Sequence, residues 1–219
     1  MNNYKGVIFD LDGTLLDTLS DLSNSVNKVL ETYNYPIHDK ATYKKKIGRG
    51  FKDLICRSMP EDTEASKVEA GLQMFLKIYD QDFMKETKPY EGIDKVLSTL
   101  QENHIKVAVN SNKRTDYTNA LIQKHFPNIC FVECFGERQG IPKKPDPTSA
   151  LELRNLMEFK SDEILYIGDS KTDIQTANNA SMDSVGVLWG FREEDELVAN
   201  GATYIARTPE DILKIILKG

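Results

Sequence analysis

The chain is poor in the residue patterns that mark most specialised proteins. Cysteine is scarce: Cys56, Cys130 and Cys134 make an odd number and lack the paired spacing of a zinc site or a disulfide framework. They lie within or beside apolar runs and read as buried free thiols. The three histidines, His38, His104 and His125, are scattered and offer no ligand pair. No apolar run approaches the roughly 18 residues of a membrane span, and no charged-then-apolar leader is evident, so a cytoplasmic protein without a membrane partner is expected. Basic charge is in deficit as well. With 28 Lys and Arg against 34 Asp and Glu, the formal charge is -6, which argues against nucleic acid as a partner, because phosphate backbones call for clustered cations. The short basic cluster Lys44-Lys45-Lys46 reads as a solvated helix face. Glycine and proline are modest at 13 and 8, and nothing reads as low complexity in the 219 residues. That length suits one or two globular domains with a sizeable core.

What the chain does have is acid at the ends of apolar runs. Gly6-Val7-Ile8-Phe9 is short, rich in branched and aromatic residues, and closed by a Gly-containing turn, the pattern of a buried parallel strand. It delivers Asp10 and Asp12 into the turn Gly13-Thr14. Residues two apart on an extended chain face the same side, so both carboxylates belong to one small site. Such neighbours raise each other's pKa unless a proton or cation intervenes, and a hard divalent ion is the natural resolution. A polar turn would use the same residue types. The acidic pattern returns, however, after Ile164-Leu165-Tyr166-Ile167, in Gly168-Asp169-Ser170-Lys171-Thr172-Asp173. Two strands ending in acids converge at one sheet edge in open α/β folds, where ligands bind.

Between the first strand and the next, the periodicity is helical. Residues 17–35 carry Leu19, Leu22, Val26, Val29, Leu30 and Tyr33 near helical spacing, with Asp17 or Thr18 as the cap. Further helices are expected over 42–46, 51–58 and 64–85. A parallel crossover needs only about a dozen residues, so this stretch of roughly 70 reads as an inserted helical domain. From residue 87, helices (92–103, 115–125, 146–159, 172–180, 193–200, 209–217) alternate with strands (105–110, 129–134, 163–167, 184–188, 203–205). Alternation implies a parallel sheet with helices on both faces. The expected organisation is an α/β core of residues 1–16 and 87–219 with an all-helical insertion over 17–86.

Four segments taken together resemble the motifs of the haloacid dehalogenase superfamily of phosphohydrolases. Asp10-Leu11-Asp12-Gly13-Thr14 is similar to its first motif, Val107 to Asn112 to the second, Lys144-Pro145-Asp146-Pro147 to the third, and Gly168 to Asp173 to the fourth. They occur in the family's order across nearly the whole chain. The resemblance implies a Rossmann-like core with the first strand central and a mobile helical cap over the site. It implies that Asp10 is the nucleophile, forming an aspartyl phosphate, and that Asp12 is general acid and base. Ser111, Asn112, Gly13 and Thr14 would bind the phosphoryl group, and Lys144 would neutralise phosphate and nucleophile. Mg²⁺ would be held by Asp10, the Asp12 main chain and Asp169. Asp173 would be a further ligand or an acceptor orienting water and Lys144. An all-oxygen donor set suits Mg²⁺ better than zinc. Dehalogenases of the superfamily lack the second acid, so Asp12 favours phosphoryl transfer.

The segment Ile47-Gly48-Arg49-Gly50-Phe51 resembles a cap segment of phosphoglycolate phosphatases, in which Arg49 would pair with a substrate carboxylate. Ser184 to Arg192 is similar to the same subfamily, whereas Asn178-Asn179-Ala180-Ser181 departs from its usual small-residue turn. The implied protein is a Mg²⁺-dependent phosphatase acting on a small phosphorylated metabolite, with 2-phosphoglycolate the first expectation, as a monomer or a homodimer. A β-phosphoglucomutase-like mutase or a pyrophosphatase would use the same core residues. A phospho-receiver module also combines acids, a Ser or Thr, a Lys and Mg²⁺, but in about half this length, and a silent binding protein has no reason to fill every motif position.

Overall fold

A computed structural model describes residues 4–217. The sheet that positions the site has six strands in the order β5-β4-β1-β6-β7-β8, every neighbouring pair parallel. These are β1 (Gly6–Phe9), β4 (Lys106–Arg114), β5 (Phe131–Glu137), β6 (Ile164–Gly168), β7 (Asp183–Val187) and β8 (Tyr204–Ala206). The helices α5 (Ile93–Glu102), α6 (Thr115–His125), α7 (Thr148–Met157), α8 (Lys171–Asn179) and α9 (Glu194–Ala199) lie between them in the chain, and α10 (Pro209–Leu217) follows β8. β1 is buried along its length because apolar layers cover both faces. Val7 and Phe9 join the cluster with Leu97, Val107 and Ile212, while Ile8 joins Ala108, Leu153 and Tyr166 on the other side. That two-sided burial is why the strand reads as a continuous apolar run rather than an alternation.

Register decides where the acids go. Phe9 pairs with Val109 on one side and Ile167 on the other, so Asp10 leaves the sheet between the ends of β4 and β6. The chain departs from β1 toward β4 on one flank and β6 on the other, and this reversal opens the crevice in which open α/β sheets bind ligands.

Between β2 (Leu16–Asp17) and β3 (Lys88–Pro89) lie four helices: α1 (Leu19–Thr32), α2 (Lys40–Lys46), α3 (Phe51–Ser58) and α4 (Ala65–Asp82). They share an apolar cluster built on Leu22, Val26, Leu54, Phe51, Phe75 and Tyr79. Phe51 meets Phe75 and Tyr79 edge-on at centroid separations of 5.0 and 5.3 Å, and each such ring buries enough surface to contribute about 1.5–3 kcal/mol. Tyr117 of α6 and Phe191 enter this same cluster from the sheet side. The outgoing and returning chains pair antiparallel, Leu16 with Pro89 and Asp17 with Lys88. Asp21 braces them by accepting from the backbone N–H groups of Glu86 and Thr87 and from the Thr87 hydroxyl.

Several expectations shift. The strand expected over 105–110 runs on to Arg114, and its neighbour is Phe131–Glu137 rather than 129–134. Register irregularities between Val107 and Val109 and between Asn110 and Arg114 let this polar extension keep pairing past the apolar run. Cys134 is buried as expected, but Cys56 and Cys130 are exposed: the first points outward from the amphipathic α3 and the second lies in the loop before β5. Thr18 precedes α1 without capping it by side chain, because its hydroxyl is engaged by Asp12. No described helix is long and apolar enough to cross a membrane.

Candidate active site

Three carboxylates, Asp10, Asp169 and Asp173, bring oxygens within 4.8 Å of one another at the crevice. Each is placed by its own local device. The Asp10 N–H donates to the Ile167 carbonyl at 2.8 Å, which extends the sheet by one residue. Asp173 is the third residue of α8 and forms a capping box with Ser170: one carboxylate oxygen accepts from the Ser170 N–H and hydroxyl at 3.1 and 2.6 Å. Its other oxygen is left for Lys144. Asp169 accepts from the Phe191 N–H at 2.7 Å. Close approach fixes a glycine at residue 13: its φ is +90°, and an added Cβ would lie 2.3 Å from an Asp169 carboxylate oxygen.

Lys144 ties the cluster together. Its Nζ lies 2.6 Å from Asp10 and 2.7 Å from Asp173, and all three side chains are almost fully buried. Asn112 places this lysine by its backbone, accepting from the Lys144 N–H at 2.9 Å and donating to its carbonyl at 3.2 Å. The same amide donates to the Gly48 carbonyl at 3.0 Å, so it also fastens the loop of the helical insertion.

The electrostatics describe a site short of positive charge. Burial first, then Asp173, hold the Asp10 carboxyl well above its usual range, although Lys144 pulls it down. Burial and Asp173 push Asp169 up to about 7. Lys144 is driven upward because Asp10 and Asp173 outweigh the burial that disfavours its charge. One ammonium does not offset three clustered carboxylates. The surplus, with a donor set made only of oxygen, fits a hard divalent cation.

Asp12 is held apart from that cluster. Its carboxylate accepts from the Thr18 hydroxyl at 2.7 Å and pairs with Lys113 Nζ at 3.2 Å. Lys113 is the functional candidate that sequence reasoning missed. It is 2% exposed, reaches the Tyr79 hydroxyl at 2.9 Å, and stands about 5 Å over the rings of Phe51 and Tyr79. Burial pulls its pKa down, but Asp12 and Tyr79 outweigh burial and keep it charged. The signal lay in strand alternation: Ser111 and Lys113 face one side if the strand continues, and the expected strand stopped at residue 110.

Asp10, Asp12, Ser111, Asn112, Lys113, Lys144 and Asp173 line one cavity, roofed by Leu22, Ile47, Gly48, Phe51 and Leu54 from the insertion. It is narrow, with about 30 Å³ open to the centre of a water molecule. Asp169 stands behind it, and Gly13 and Thr14 support rather than line it. Gly13 packs on Asp169, while Thr14 is buried and its carbonyl accepts from Trp189. Arg49 lies elsewhere. It is exposed and lines a neighbouring groove of about 400 Å³ with Lys44, Lys171 and Arg192. Arg192 closes the seam between sheet domain and insertion, donating to the carbonyls of Lys44, Lys45 and Ile47 at the end of α2.

A parallel sheet whose central strand ends in paired acids, with a buried lysine and a roofing helical insertion, defines a hydrolase class. The chain belongs to the haloacid dehalogenase-like hydrolases, whose family model matches residues 7–187. It is a phosphoric monoester hydrolase of that family. Among curated relatives, the phosphoglycolate phosphatase of Vibrio parahaemolyticus is 26% identical over 220 residues, covering 98% of this chain and 96% of the relative. That of Psychrobacter arcticus is 29% identical over 192 residues, covering 84% of each. Among solved structures, a Lactobacillus delbrueckii protein provisionally assigned as a phosphoglycolate phosphatase superposes with a TM-score of 0.93 at 32% identity, covering 99% of this chain and 100% of that one.

Proposed function

We propose that the protein hydrolyses 2-phosphoglycolate, with Mg²⁺ as cofactor, through an aspartyl-phosphate intermediate, and that residues 17–86 act as the cap. The observation that carries the reading is the division of labour between two carboxylates on one turn. Asp10 is locked to Lys144 and faces the other acids, while Asp12 is held separately by Thr18 and Lys113. A nucleophile and an acid–base group need those different surroundings.

An Asp10 carboxylate oxygen attacks phosphorus, and the bond from phosphorus to the glycolate oxygen breaks. Asp12 gives its proton to that oxygen as it leaves. Asp12 then takes a proton from water, whose oxygen attacks phosphorus and releases Asp10 and inorganic phosphate. Ser111 Oγ donates to a phosphoryl oxygen, and Lys144, steadied by Asp173, balances charge on the nucleophile and the transferred group. Asp10 and Asp169 would hold Mg²⁺ with the Asp12 main chain, and Asp173 nearby. Bound there, the ion would neutralise phosphate charge and fix the group's orientation. The roof of Leu22, Ile47, Phe51 and Leu54 excludes bulk water.

The choice of substrate rests on two supports. The relatives quoted above carry that activity in their names, and the cavity wall holds a second buried cation, Lys113, besides the lysine that faces the nucleophile, as a phosphorylated carboxylic acid requires. The test is phosphate release from 2-phosphoglycolate, sugar phosphates and pyrophosphate, with Mg²⁺ or with EDTA. Mg²⁺-dependent release led by 2-phosphoglycolate is expected. Release led by pyrophosphate, or isomerisation of a sugar phosphate, would refute the reading.

A further inference from the structure

We propose that Lys113, not Arg49, recognises the carboxylate of the substrate's leaving group. This rests on the phosphoglycolate reading above and supplies its charge selectivity.

The cavity wall holds two cations, Lys113 and Lys144. Lys144 is committed: Asp10 and Asp173 take it at 2.6 and 2.7 Å, on the phosphoryl side. Lys113 pairs with Asp12 instead, 3.2 Å from one of its oxygens. The position of Asp12 fixes where the tail of the substrate must go. If Asp12 protonates the leaving oxygen, the carbon on that oxygen lies beside Asp12, and the carboxylate begins one bond further out. The cation waiting in that direction is Lys113.

The remaining wall makes this cation necessary. Leu22, Ile47, Phe51 and Leu54 offer no hydrogen bond to a carboxylate, the Asn112 amide is spent on the Gly48 and Lys144 carbonyls and the Ser170 hydroxyl on Asp173, Ser111 serves the phosphoryl group, and Asp10, Asp12 and Asp173 repel a carboxylate. A charged tail entering such a space without a counter-ion meets a heavy desolvation cost. An ammonium has three donors. Lys113 uses contacts to Asp12 and to the Tyr79 hydroxyl, and a third proton remains for the ligand. The rings of Phe51 and Tyr79 hold the head in place, and both belong to the helical insertion. The carboxylate pocket is therefore complete only with the cap shut. Arg49 is solvent-exposed in the neighbouring groove and does not line the cavity.

The experiment compares kcat/KM for 2-phosphoglycolate and for its amide, which has the same shape with a neutral tail, in wild type, Lys113→Met, Lys113→Arg and Arg49→Met, with folding checked by thermal unfolding. Wild type should prefer the acid. The acid-to-amide ratio should fall by about 10-fold to 100-fold in Lys113→Met, the loss expected for a charged hydrogen bond, and should survive in Lys113→Arg and Arg49→Met. The ratio, rather than the absolute rate, is the readout, because Lys113 also touches Asp12. If Lys113→Met slows both esters equally, the residue only positions Asp12 and the proposal is overturned. A ratio that collapses in Arg49→Met, or as fully in Lys113→Arg as in Lys113→Met, also overturns it. Should Lys113→Met fail to fold, Lys113→Gln takes its place with the same readings: a fallen ratio supports the proposal, and a ratio kept without the charge overturns it. A wild type that hydrolyses other phosphomonoesters but not 2-phosphoglycolate defeats the substrate reading, an outcome distinct from a wild-type preference that Lys113→Met retains.

Discussion

Replacing Lys144 with methionine should cost the fold as well as the chemistry. The substitution keeps most of the length of the side chain and removes the ammonium that lies 2.6 Å from Asp10 and 2.7 Å from Asp173. What remains is three carboxylates with oxygens inside 4.8 Å and no cation. Removing one partner from a buried ion pair typically costs about 3–5 kcal/mol. In a protein of this size each kcal/mol moves Tm by about 2–4 °C, so a drop of about 6–20 °C is expected in EDTA at pH 8. The drop should shrink at pH 6, because carboxylates deprived of their counter-ion take up protons more readily. Differential scanning calorimetry at both pH values reads this directly. A Tm within about 2 °C of wild type at pH 8 would refute the claim that Lys144 holds the acids together. A deficit that grows on acidification would refute the charge argument specifically.

Wild type itself should show a related pH dependence. Asp10 is raised and Asp169 is pushed up to about 7, so the folded protein binds these protons more tightly than the unfolded chain does. Their contribution to stability is therefore full at low pH and lost as pH rises through 7. Thermal scans in EDTA should show these groups favouring pH 6 over pH 8, and Mg²⁺ should raise Tm more at pH 8; an equal Mg²⁺ effect at both would contradict the account. Asp10→Asn should reduce phosphate release below about one-thousandth of wild type while the protein stays folded by circular dichroism, and near-normal turnover would remove Asp10 as nucleophile. Arg192→Ala deletes donors to the Lys44, Lys45 and Ile47 carbonyls; steady-state kinetics should show KM raised by about 5-fold to 30-fold, with a smaller change in kcat.

The parts of the molecule legible in the sequence were those set by local pattern. Val7, Ile8 and Phe9 announce a strand buried on both faces, and the order of strands and helices after residue 87 implies the parallel sheet. Helix α3 is expected and found over the same residues, Phe51–Ser58, because its apolar side is sharply amphipathic. The motif acids stand at the ends of β1 and β6 and at the start of α8, whereas Lys144 lies in a turn before α7 and is singled out by its resemblance to the third motif. What the sequence hid was long-range. Nothing local shows that Lys113 is buried under Phe51 and Tyr79, which lie on helices contributed by a distant insertion. Asn112 resembled a phosphate contact, yet its side chain spans the Lys144 backbone and the Gly48 carbonyl. Arg49 is a candidate because Ile47 to Phe51 resembles a cap segment, and the folded chain sets it in the groove beside the cavity. Lys46 and Arg57 likewise meet only in the folded chain, each side chain donating to the other's backbone carbonyl.

The two-residue ladder joining Leu16 to Pro89 and Asp17 to Lys88 brings the ends of a long excursion side by side. A chain that returns to its point of departure adds loop-closure entropy only as the logarithm of its length. The sheet therefore feels little difference between a short loop at this point and an entire helical bundle. The proposed catalytic carboxylates and the proposed cap are thereby separable inheritances: the strand ends can remain constant while insertions of different size and lining are exchanged above them. A new molecule is admitted by altering what crosses this narrow neck, without disturbing the register that holds the acids.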